Sequence, residues 1–246
     1  ASVERALDDG TDWVEIDVQE TADGEVAVIH DSDFMKIGGV ALKVWDATLE
    51  DLTRIDVGSW YAPEFSDQRV PLLADVLEAS RDRAGVVIEL KYYGHNDRLE
   101  ERVVEIVEAT GMTDQVMAMS LENDMVQAMK RLRPDWTEGL LTATVLGDLT
   151  KMEADFLAVN TGLATPGFIR RAHRTGKDVY VWTLNDAASM SAMISNGADG
   201  LITDHPALAR KVLEQRAAMS TGERLLVNLG FWLDQLGEPE MTVEDS

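Results

Sequence analysis

The chain alternates short apolar runs with longer stretches in which apolar residues recur every three or four positions. The runs have the length of β-strands, and the longer stretches have the periodicity of amphipathic helices. Seven runs are predicted to be parallel strands, at 13–18, 86–90, 116–119, 139–141, 156–159, 179–182 and 200–202. Helices are predicted at 2–8, 99–108, 125–132, 168–173, 187–194 and 207–216. This alternation is typical of repeated βα units around a parallel sheet.

One predicted strand, at 26–29, does not fit the alternation. It follows the first strand across Asp23 and Gly24, and an Asp-Gly pair between two β-rich runs is a strong hairpin signal. We therefore expect this strand to lie antiparallel to the first one. Residues 32–84 then form a segment too long for an ordinary βα loop. We interpret this segment as an insertion or lid over the strand ends.

The strand count limits the possible folds. A closed parallel barrel has eight strands, whereas the pattern supplies seven, and the first helix has no strand before it. The prediction is an α/β fold, a TIM (β/α)8 barrel without its first strand, over residues 1–217 with the insertion at 32–84. A helix and an acidic tail follow at 218–246. An open doubly wound sheet is the alternative, but the sequence has no glycine-rich first turn of the nucleotide-binding kind.

Composition excludes several classes of function. The chain has 45 acidic and 22 basic residues, a formal net charge of −23, so its field repels polyanions and nucleic acid is not an expected ligand. It contains no cysteine, which excludes disulfides, zinc–thiolate sites and cysteine nucleophiles. No apolar run approaches the length of a membrane span. Neither the compartment nor the oligomeric state is predicted.

Acidic side chains lie at two of the predicted strands. Glu15 and Asp17 are separated by one residue, so both lie on one face of the first strand. Glu89 directly follows an apolar run, and a carboxylate there is costly unless something binds it. Three oxygen donors of this kind suit Mg²⁺ or Ca²⁺. Glu15, Asp17 and Glu89 are therefore the candidate metal ligands, with solvated strand ends as the alternative.

Three further side chains are candidates for chemistry at the same strand ends. His30 ends the hairpin strand and is a candidate proton carrier, with Asp31 either orienting it or capping the next turn. Lys91 shares a strand face with Glu89 and suits an anionic substrate, although an ion pair with the acids is equally compatible. Trp182 ends a strand, where it would either wall a substrate pocket or pack under a loop.

Polar residues are also expected to cap two helices. Asn96 or Asp97 is predicted to cap the helix that follows, which leaves His95 at the mouth of the strand ends, where it could touch a substrate. The Asn185-Asp186 pair is predicted to cap the helix at 187–194.

These segments together resemble a known family. The stretches WVEIDVQETADGEVAVIHD, IELK, VYVWTLND and GADGLITDHP look like the glycerophosphodiester phosphodiesterase family, a metal-dependent TIM barrel. The resemblance extends from residue 1 to about 214. The stretches ELKYYGHND and LRPDWTEGLLTATVLGDLT also resemble the branch of the family in which this domain follows a membrane-embedded one. A tether to an upstream membrane domain is therefore one expectation.

The resemblance implies a role for each candidate residue. It makes His30 one of two catalytic histidines, Lys91 a phosphate-side lysine and Trp182 a pocket aromatic. The acids Glu15, Asp17 and Glu89 match the metal ligands. The implied reaction is hydrolysis of a glycerophosphodiester to glycerol 3-phosphate and an alcohol.

The chain also departs from the family pattern. The His-Arg-Gly motif at the end of the family's first strand and the Glu-Asn-Thr motif before its first helix are not in this sequence. With them go the second catalytic histidine, a phosphate-binding arginine and a further acid. We therefore expect weak activity from this chain by itself.

Two other functions remain open. One is a truncated or degenerate barrel that binds phosphate esters or a partner without turnover. The other is a phospholipase D-like lyase with a related barrel. The apolar stretch at 225–236 is expected to pack against the barrel, with a membrane-surface contact as the alternative.

Overall fold

A computed structural model of the protein describes residues 1–144, 147–220, 222–224 and 226. The strands are β1 (Trp13–Glu20), β2 (Val26–Val28), β3 (Asp33–Phe34), β4 (Val40–Lys43), β5 (Gly85–Leu90), β6 (Val116–Ser120), β7 (Thr137–Thr142), β8 (Phe156–Asn160), β9 (Asp178–Trp182) and β10 (Gly200–Leu201). The helices are α1 (Ser2–Asp8), α2 (Met35–Gly38), α3 (Leu49–Arg54), α4 (Leu73–Ser80), α5 (Leu99–Thr110), α6 (Asn123–Leu132), α7 (Pro166–Arg174), α8 (Ala187–Asn196) and α9 (Pro206–Ala218).

One curled sheet organises the molecule, with strand order β10-β9-β8-β7-β6-β5-β1-β2. Every neighbouring pair from β10 to β1 is parallel, and β2 runs antiparallel to β1. The predicted α/β fold is confirmed, and the seven parallel strands overlap the predicted runs. An α-helix follows each parallel strand except β7, which is connected to β8 through a segment with a short 3₁₀ helix at Leu149–Lys151 among its described residues; a parallel pair needs such a crossover connection.

The sheet is open between its first and last parallel strands. Among the described residues, no hydrogen-bonded pair joins β1 to β10. A cleft of about 1790 Å³ lies between the two strands, with Trp13 and Glu15 on one side and Leu201 and Asp204 on the other. The inner face of the sheet is therefore accessible along this opening.

Alternation along the strands divides the core into two layers. On β1, Val14, Ile16 and Val18 are buried in the layer that also contains residues of α4, α5 and α6. Residues between them, including Glu15 and Asp17, take the opposite, inner face. An apolar cluster fills the rest of that inner face: Val87, Met117, Met119, Leu141, Phe156 and Ala158, with Tyr180, Trp182 and Ile202 packed against it. The acids therefore share an otherwise apolar interior.

The predicted hairpin is confirmed. Val18 pairs with Val28, and the Ile29 amide donates to the Asp17 carbonyl oxygen at 2.9 Å. Gly24 has a φ of +86°, a backbone conformation that side chains rarely tolerate. The turn therefore needs glycine there, and it brings residue 30 back beside the middle of β1.

The segment after the hairpin has a small hydrophobic core of its own. Ala27, Ile29, Phe34, Val44, Ala47, Leu52, Ile55 and Val70 form this cluster, which includes residues of the β3–β4 pair and of α3. In contrast, α4 packs Leu73, Val76 and Leu77 into the outer layer of the main sheet. The insertion predicted at 32–84 therefore has a small core of its own, to which Ala27 and Ile29 of the hairpin also contribute. The proposed domain limits remain predictions.

Two predictions concern the chain's relation to membranes. Apart from Leu226, the apolar stretch at 225–236 lies outside the described residues. Within the described part of the chain, no helix is both long and apolar enough to cross a bilayer.

Candidate active site

The three predicted acids converge on the inner face of the sheet. Asp17 on β1 and Glu89 on β5 are register partners on neighbouring parallel strands, and Glu15 lies two residues earlier on β1. One carboxylate oxygen from each residue lies within 4.8 Å of the corresponding oxygens of the other two. The convergence follows from register: the pairing places Asp17 opposite Glu89, and the two-residue period keeps Glu15 on the same face.

Crowding and burial make this cluster electrostatically strained. Burial, together with the charges of Asp17 and Glu89, raises the pKa of Glu15 to about 8. Burial also raises the pKa of Glu89, against the opposing effect of Lys91. A divalent cation would relieve this repulsion, because an opposite charge favours the ionised carboxylates. Three hard oxygen donors within reach of one another fit Mg²⁺ or Ca²⁺.

Lys91 lies inside the same cluster. Its Nζ is 2.7 Å from Glu89 Oε1 and 3.0 Å from Asp17 Oδ1, and the side chain is buried. Burial by itself would lower the pKa of Lys91, but the carboxylates of Asp17 and Glu89 outweigh it and raise the pKa. The lysine is therefore charged, and the ion pair predicted from the sequence is present. Among the described residues, Glu15 is the member of the trio without an ion pair.

His30 follows β2 and points a largely exposed ring toward solvent. Its Nδ1 lies 2.8 Å from Asp31 Oδ1, and 66% of its side chain is exposed. Because a carboxylate can only accept, Nδ1 carries the proton in this contact and Nε2 is left to exchange protons. Asp31 therefore orients the ring, which is one of the two roles expected for it.

The backbone around His30 is held by two side chains that the sequence analysis did not single out. Gln19 Nε2 lies 2.8 Å from the Ile29 carbonyl oxygen, 3.2 Å from that of His30 and 2.9 Å from that of Asp31. Tyr93 donates its hydroxyl to the His30 carbonyl oxygen at 2.9 Å. One signal was available in the sequence, since Gln19 is the next inward position on β1 after Glu15 and Asp17.

Trp182 lies at the carboxyl end of β9 and packs against the apolar cluster of the inner face, next to Tyr180 and Ile202. Its indole Nε1 is buried and has no hydrogen-bond partner among the described residues. Buried indole N–H groups usually find a partner. This arrangement is compatible with a wall of a polar ligand pocket.

Asp204 is a further acid that the sequence analysis did not select. It follows β10, lines the cleft beside Glu15 and is close enough to contribute to the raised pKa of Glu15. Asn185 Nδ2 donates to Asp204 Oδ2 at 2.7 Å. The predicted helix cap is provided by Asp186, whose carboxylate accepts from the Ser189 amide at 2.9 Å.

The cap predicted at Asn96 or Asp97 is wrong. The start of α5 is instead bound by Glu20, whose carboxylate accepts from the amides of Asp97 and Arg98 at 3.0 and 2.9 Å. Arg102 pairs with the same carboxylate. Local capping rules could not identify this contact, because Glu20 is 77 residues away from Asp97 in the chain.

His95 belongs to an aromatic contact with the insertion. Its ring stacks on Trp45 with centroids 4.2 Å apart, and Tyr93 lies 6.5 Å from the same indole. Lys43 Nζ lies 5.6 Å from the Trp45 ring. His95 therefore fastens the segment after β5 to the insertion.

Together, the curled parallel sheet and the inward acids beside a buried lysine define a TIM-barrel-like α/β protein with a candidate cation site. The chain belongs to the glycerophosphoryl diester phosphodiesterase family, whose model matches residues 1–208. The family predicted from the sequence is therefore confirmed.

Individual relatives agree with this assignment. The chain is 30% identical to a glycerophosphodiester phosphodiesterase of Caldanaerobacter subterraneus, over 84% of this chain and 87% of that protein. It is 29% identical to a glycerophosphodiester phosphodiesterase of Bacillus altitudinis, over 86% and 90% of the two chains.

Solved structures show the same fold. The crystal structure of an Agrobacterium tumefaciens glycerophosphodiester phosphodiesterase is 26% identical, with a TM-score of 0.73 over 85% of this chain and 90% of that one. An Oleispira antarctica phosphodiesterase in complex with the product sn-glycerol-3-phosphate is 20% identical, with a TM-score of 0.77 over 86% and 89%.

Proposed function

We propose that this protein hydrolyses glycerophosphodiesters to glycerol 3-phosphate and an alcohol, with a divalent cation as cofactor. The observation that carries the proposal is the convergence of Glu15, Asp17 and Glu89 around the charged Lys91. Family membership supports the reaction class. The product named for the Oleispira structure, sn-glycerol-3-phosphate, supports the choice of products.

The acids and the lysine have complementary roles in this proposal. Glu15, Asp17 and Glu89 would hold Mg²⁺ or Ca²⁺, which when bound polarises a phosphoryl oxygen and neutralises developing charge. Lys91 offers a fixed positive charge to the phosphate. Substrate phosphate would compete with Asp17 and Glu89 for the ammonium, so the ion pair keeps Lys91 in place until the ligand arrives. Trp182 would form an aromatic wall of the pocket.

His30 would transfer a proton to the leaving alcohol. Asp31 accepts from its Nδ1, which leaves Nε2 available for proton transfer, and 66% of the side chain is exposed. Loss of one proton-transfer group commonly costs about 10²- to 10⁴-fold in rate.

A binding protein without turnover is the second candidate. The observation that favours it is the open sheet between β1 and β10 among the described residues, because the cleft at this opening is lined by Glu15 of the acid cluster. In this case the acids would still bind a cation and a phosphate ester, but no hydrolysis would follow.

A direct assay distinguishes the two candidates. The 246-residue chain would be incubated with glycerophosphocholine and Mg²⁺, Ca²⁺ or chelator. Metal-dependent release of glycerol 3-phosphate supports the hydrolase. Cation binding by calorimetry without release of glycerol 3-phosphate supports the binding protein. A parallel assay uses lysophosphatidylcholine as the substrate, and formation of a cyclic phosphate product would indicate the phospholipase D-like lyase.

A further inference from the structure

The end of β1 carries a buried amide that faces the loop containing His30. Gln19 is 3% exposed, and its Nε2 lies within 3.2 Å of three consecutive carbonyl oxygens, those of residues 29, 30 and 31. All three contacts are to acceptors, so the amide must present its NH₂ group to them. The two amide hydrogens are shared among the three carbonyls. The loop therefore bends around this single donor group.

A second donor reaches the same loop from another strand. Tyr93 lies just after β5, and its hydroxyl donates to the His30 carbonyl oxygen at 2.9 Å. The His30 carbonyl thus receives hydrogen bonds from residues attached to β1 and to β5. These two strands also carry the acids, with Asp17 opposite Glu89.

The His30 side chain has little to hold it in place. Its ring is 66% exposed, and its one polar side-chain contact among the described residues is with the adjacent Asp31. The ring's position relative to the acids therefore depends on where the backbone of residues 29–31 is fixed. Catalytic groups need to be held within about 0.5 Å of their productive geometry.

We infer that Gln19 and Tyr93 are positioning residues that fix His30 in register with the acid cluster on β1 and β5. This inference rests on the proposed role of His30 in proton transfer. Glutamine suits position 19 because its amide is long enough to reach the loop and offers two hydrogens without adding charge. Glutamate there would place a carboxylate against three carbonyl oxygens, and leucine would remove this donor from all three, leaving only the His30 carbonyl with its bond from Tyr93.

The test uses three variants with matched controls. Gln19→Leu, Gln19→Glu and Tyr93→Phe are expected to lower kcat for glycerophosphocholine by about 10- to 100-fold, as a misplaced catalytic group does. KM is expected to stay within about threefold, since substrate contacts are kept. Gln127→Leu is the matched control, because Gln127 also donates to one backbone carbonyl, that of Glu153 at 2.9 Å, but lies on α6. Tyr92→Phe removes an exposed neighbouring hydroxyl.

Two further measurements separate positioning from a general structural role. Amide hydrogen exchange at residues 29–31 should become faster in Gln19→Leu and Tyr93→Phe, while the cores of β5 and β6 keep their protection. The cation affinity measured by calorimetry should be unchanged.

Several results would overturn the inference. The inference is wrong if Tyr93→Phe and Gln19→Leu keep both the wild-type kcat and the wild-type rate of amide hydrogen exchange at residues 29–31. It is also wrong if the lost activity returns at saturating metal, because Gln19 would then act on the metal ligands and not on His30. If Gln19→Leu does not fold, Tyr93→Phe carries the same test. Should His30→Asn keep full activity, the proposed role of His30 fails, and the exchange rates still report whether the loop is anchored.

Discussion

Asp17 and Glu89 lie directly opposite each other on two hydrogen-bonded parallel strands, and the ammonium of Lys91 binds both carboxylates. Two negative charges, those of Asp17 and Glu89, therefore face the one positive charge of Lys91 in a buried environment. Glu15 adds a third carboxylate without a further partner among the described residues. The excess negative charge is what a divalent cation would neutralise.

Removing one acid of the cluster should weaken cation binding and activity together. Glu89→Gln keeps the shape of the side chain but loses the charge that faces Lys91 and the proposed cation. We expect cation affinity and kcat/KM to fall by about 100-fold or more. Mutating a residue that only hydrogen-bonds a metal ligand already lowers metal affinity or activity by about 10- to 100-fold. Calorimetry and the glycerophosphocholine assay measure these losses. Glu122→Gln, at an exposed acid just after β6, is the control and should behave as wild type.

Cation affinity should depend on pH through Glu15. Because the pKa of Glu15 is raised to about 8, this carboxyl is largely protonated at pH 6 and ionised at pH 9. Binding must displace that proton, so affinity should rise with pH until about pH 8 and then level off. Calorimetry in two buffers of different ionisation enthalpy, at pH 6, 7 and 9, measures the released proton. An affinity independent of pH over this range would contradict the expectation.

A buried carboxyl outside the site should make stability fall as pH rises. Glu138 on β7 is fully buried, and neither carboxyl oxygen has a hydrogen-bond partner among the described residues. Burial raises its pKa from 4.5 to about 8, with Asp155 adding to the shift and Lys130 opposing it. The protonated form is favoured in the folded state. Its stabilising contribution is therefore complete below pH 4.5 and is lost as pH rises through about 8.

Replacing this carboxyl tests the assignment. Glu138→Met is expected to raise the free energy of unfolding at pH 9 by about 1–3 kcal/mol, because the unpaired group is removed from the core. The gain should shrink toward pH 5, where Glu138 is protonated. Urea unfolding followed by tryptophan fluorescence measures both values. Glu153→Met, at an exposed position, is the control. A pH-independent effect of Glu138→Met would show that packing, not charge, is responsible.

Glu20 should be one of the most important polar residues for stability. It is buried and binds the amides of Asp97 and Arg98 as well as the Arg102 side chain. Glu20→Ala would remove the acceptor at the start of α5 and the carboxylate partner of Arg102, at an expected cost of about 3–5 kcal/mol.

The surface ion pair between Glu105 and Arg98 offers a comparison for Glu20. Its two side chains are more than half exposed, so Glu105→Ala should cost about 0.2–1 kcal/mol. Urea denaturation at pH 7 measures both variants. Equal costs for the two variants would contradict the role given to Glu20.

Local patterns in the sequence were sufficient for most of the secondary structure. The alternation at residues 13–18 indicated a strand with Glu15 and Asp17 on one face, and the Asp23-Gly24 pair indicated the hairpin that brings back residue 30. These predictions succeed because strand periodicity and turn conformation depend on neighbouring residues. No element within residues 32–84 was predicted; β3 and α2, with two and four residues, are too short for a periodic pattern, but the eight-residue α4 was also missed.

Contacts between distant parts of the chain were decided by tertiary structure. The register of β1 against β5 sets which acids meet, and a shift by one residue would turn Glu89 away from Asp17. The capping of α5 by Glu20 joins residues 77 positions apart. The anchoring of His30 by Tyr93 joins residues 63 positions apart. No local propensity encodes such pairs.

The sequence by itself therefore determined the βα alternation, the hairpin and the candidate acids, because each depends on residues close together in the chain. Tertiary structure alone decided that three carboxylates and Lys91 share one buried space, that the sheet stays open between β1 and β10 among the described residues, and that Gln19 faces the loop of His30. These features depend on strand register and long-range packing, which form only when the whole sheet assembles.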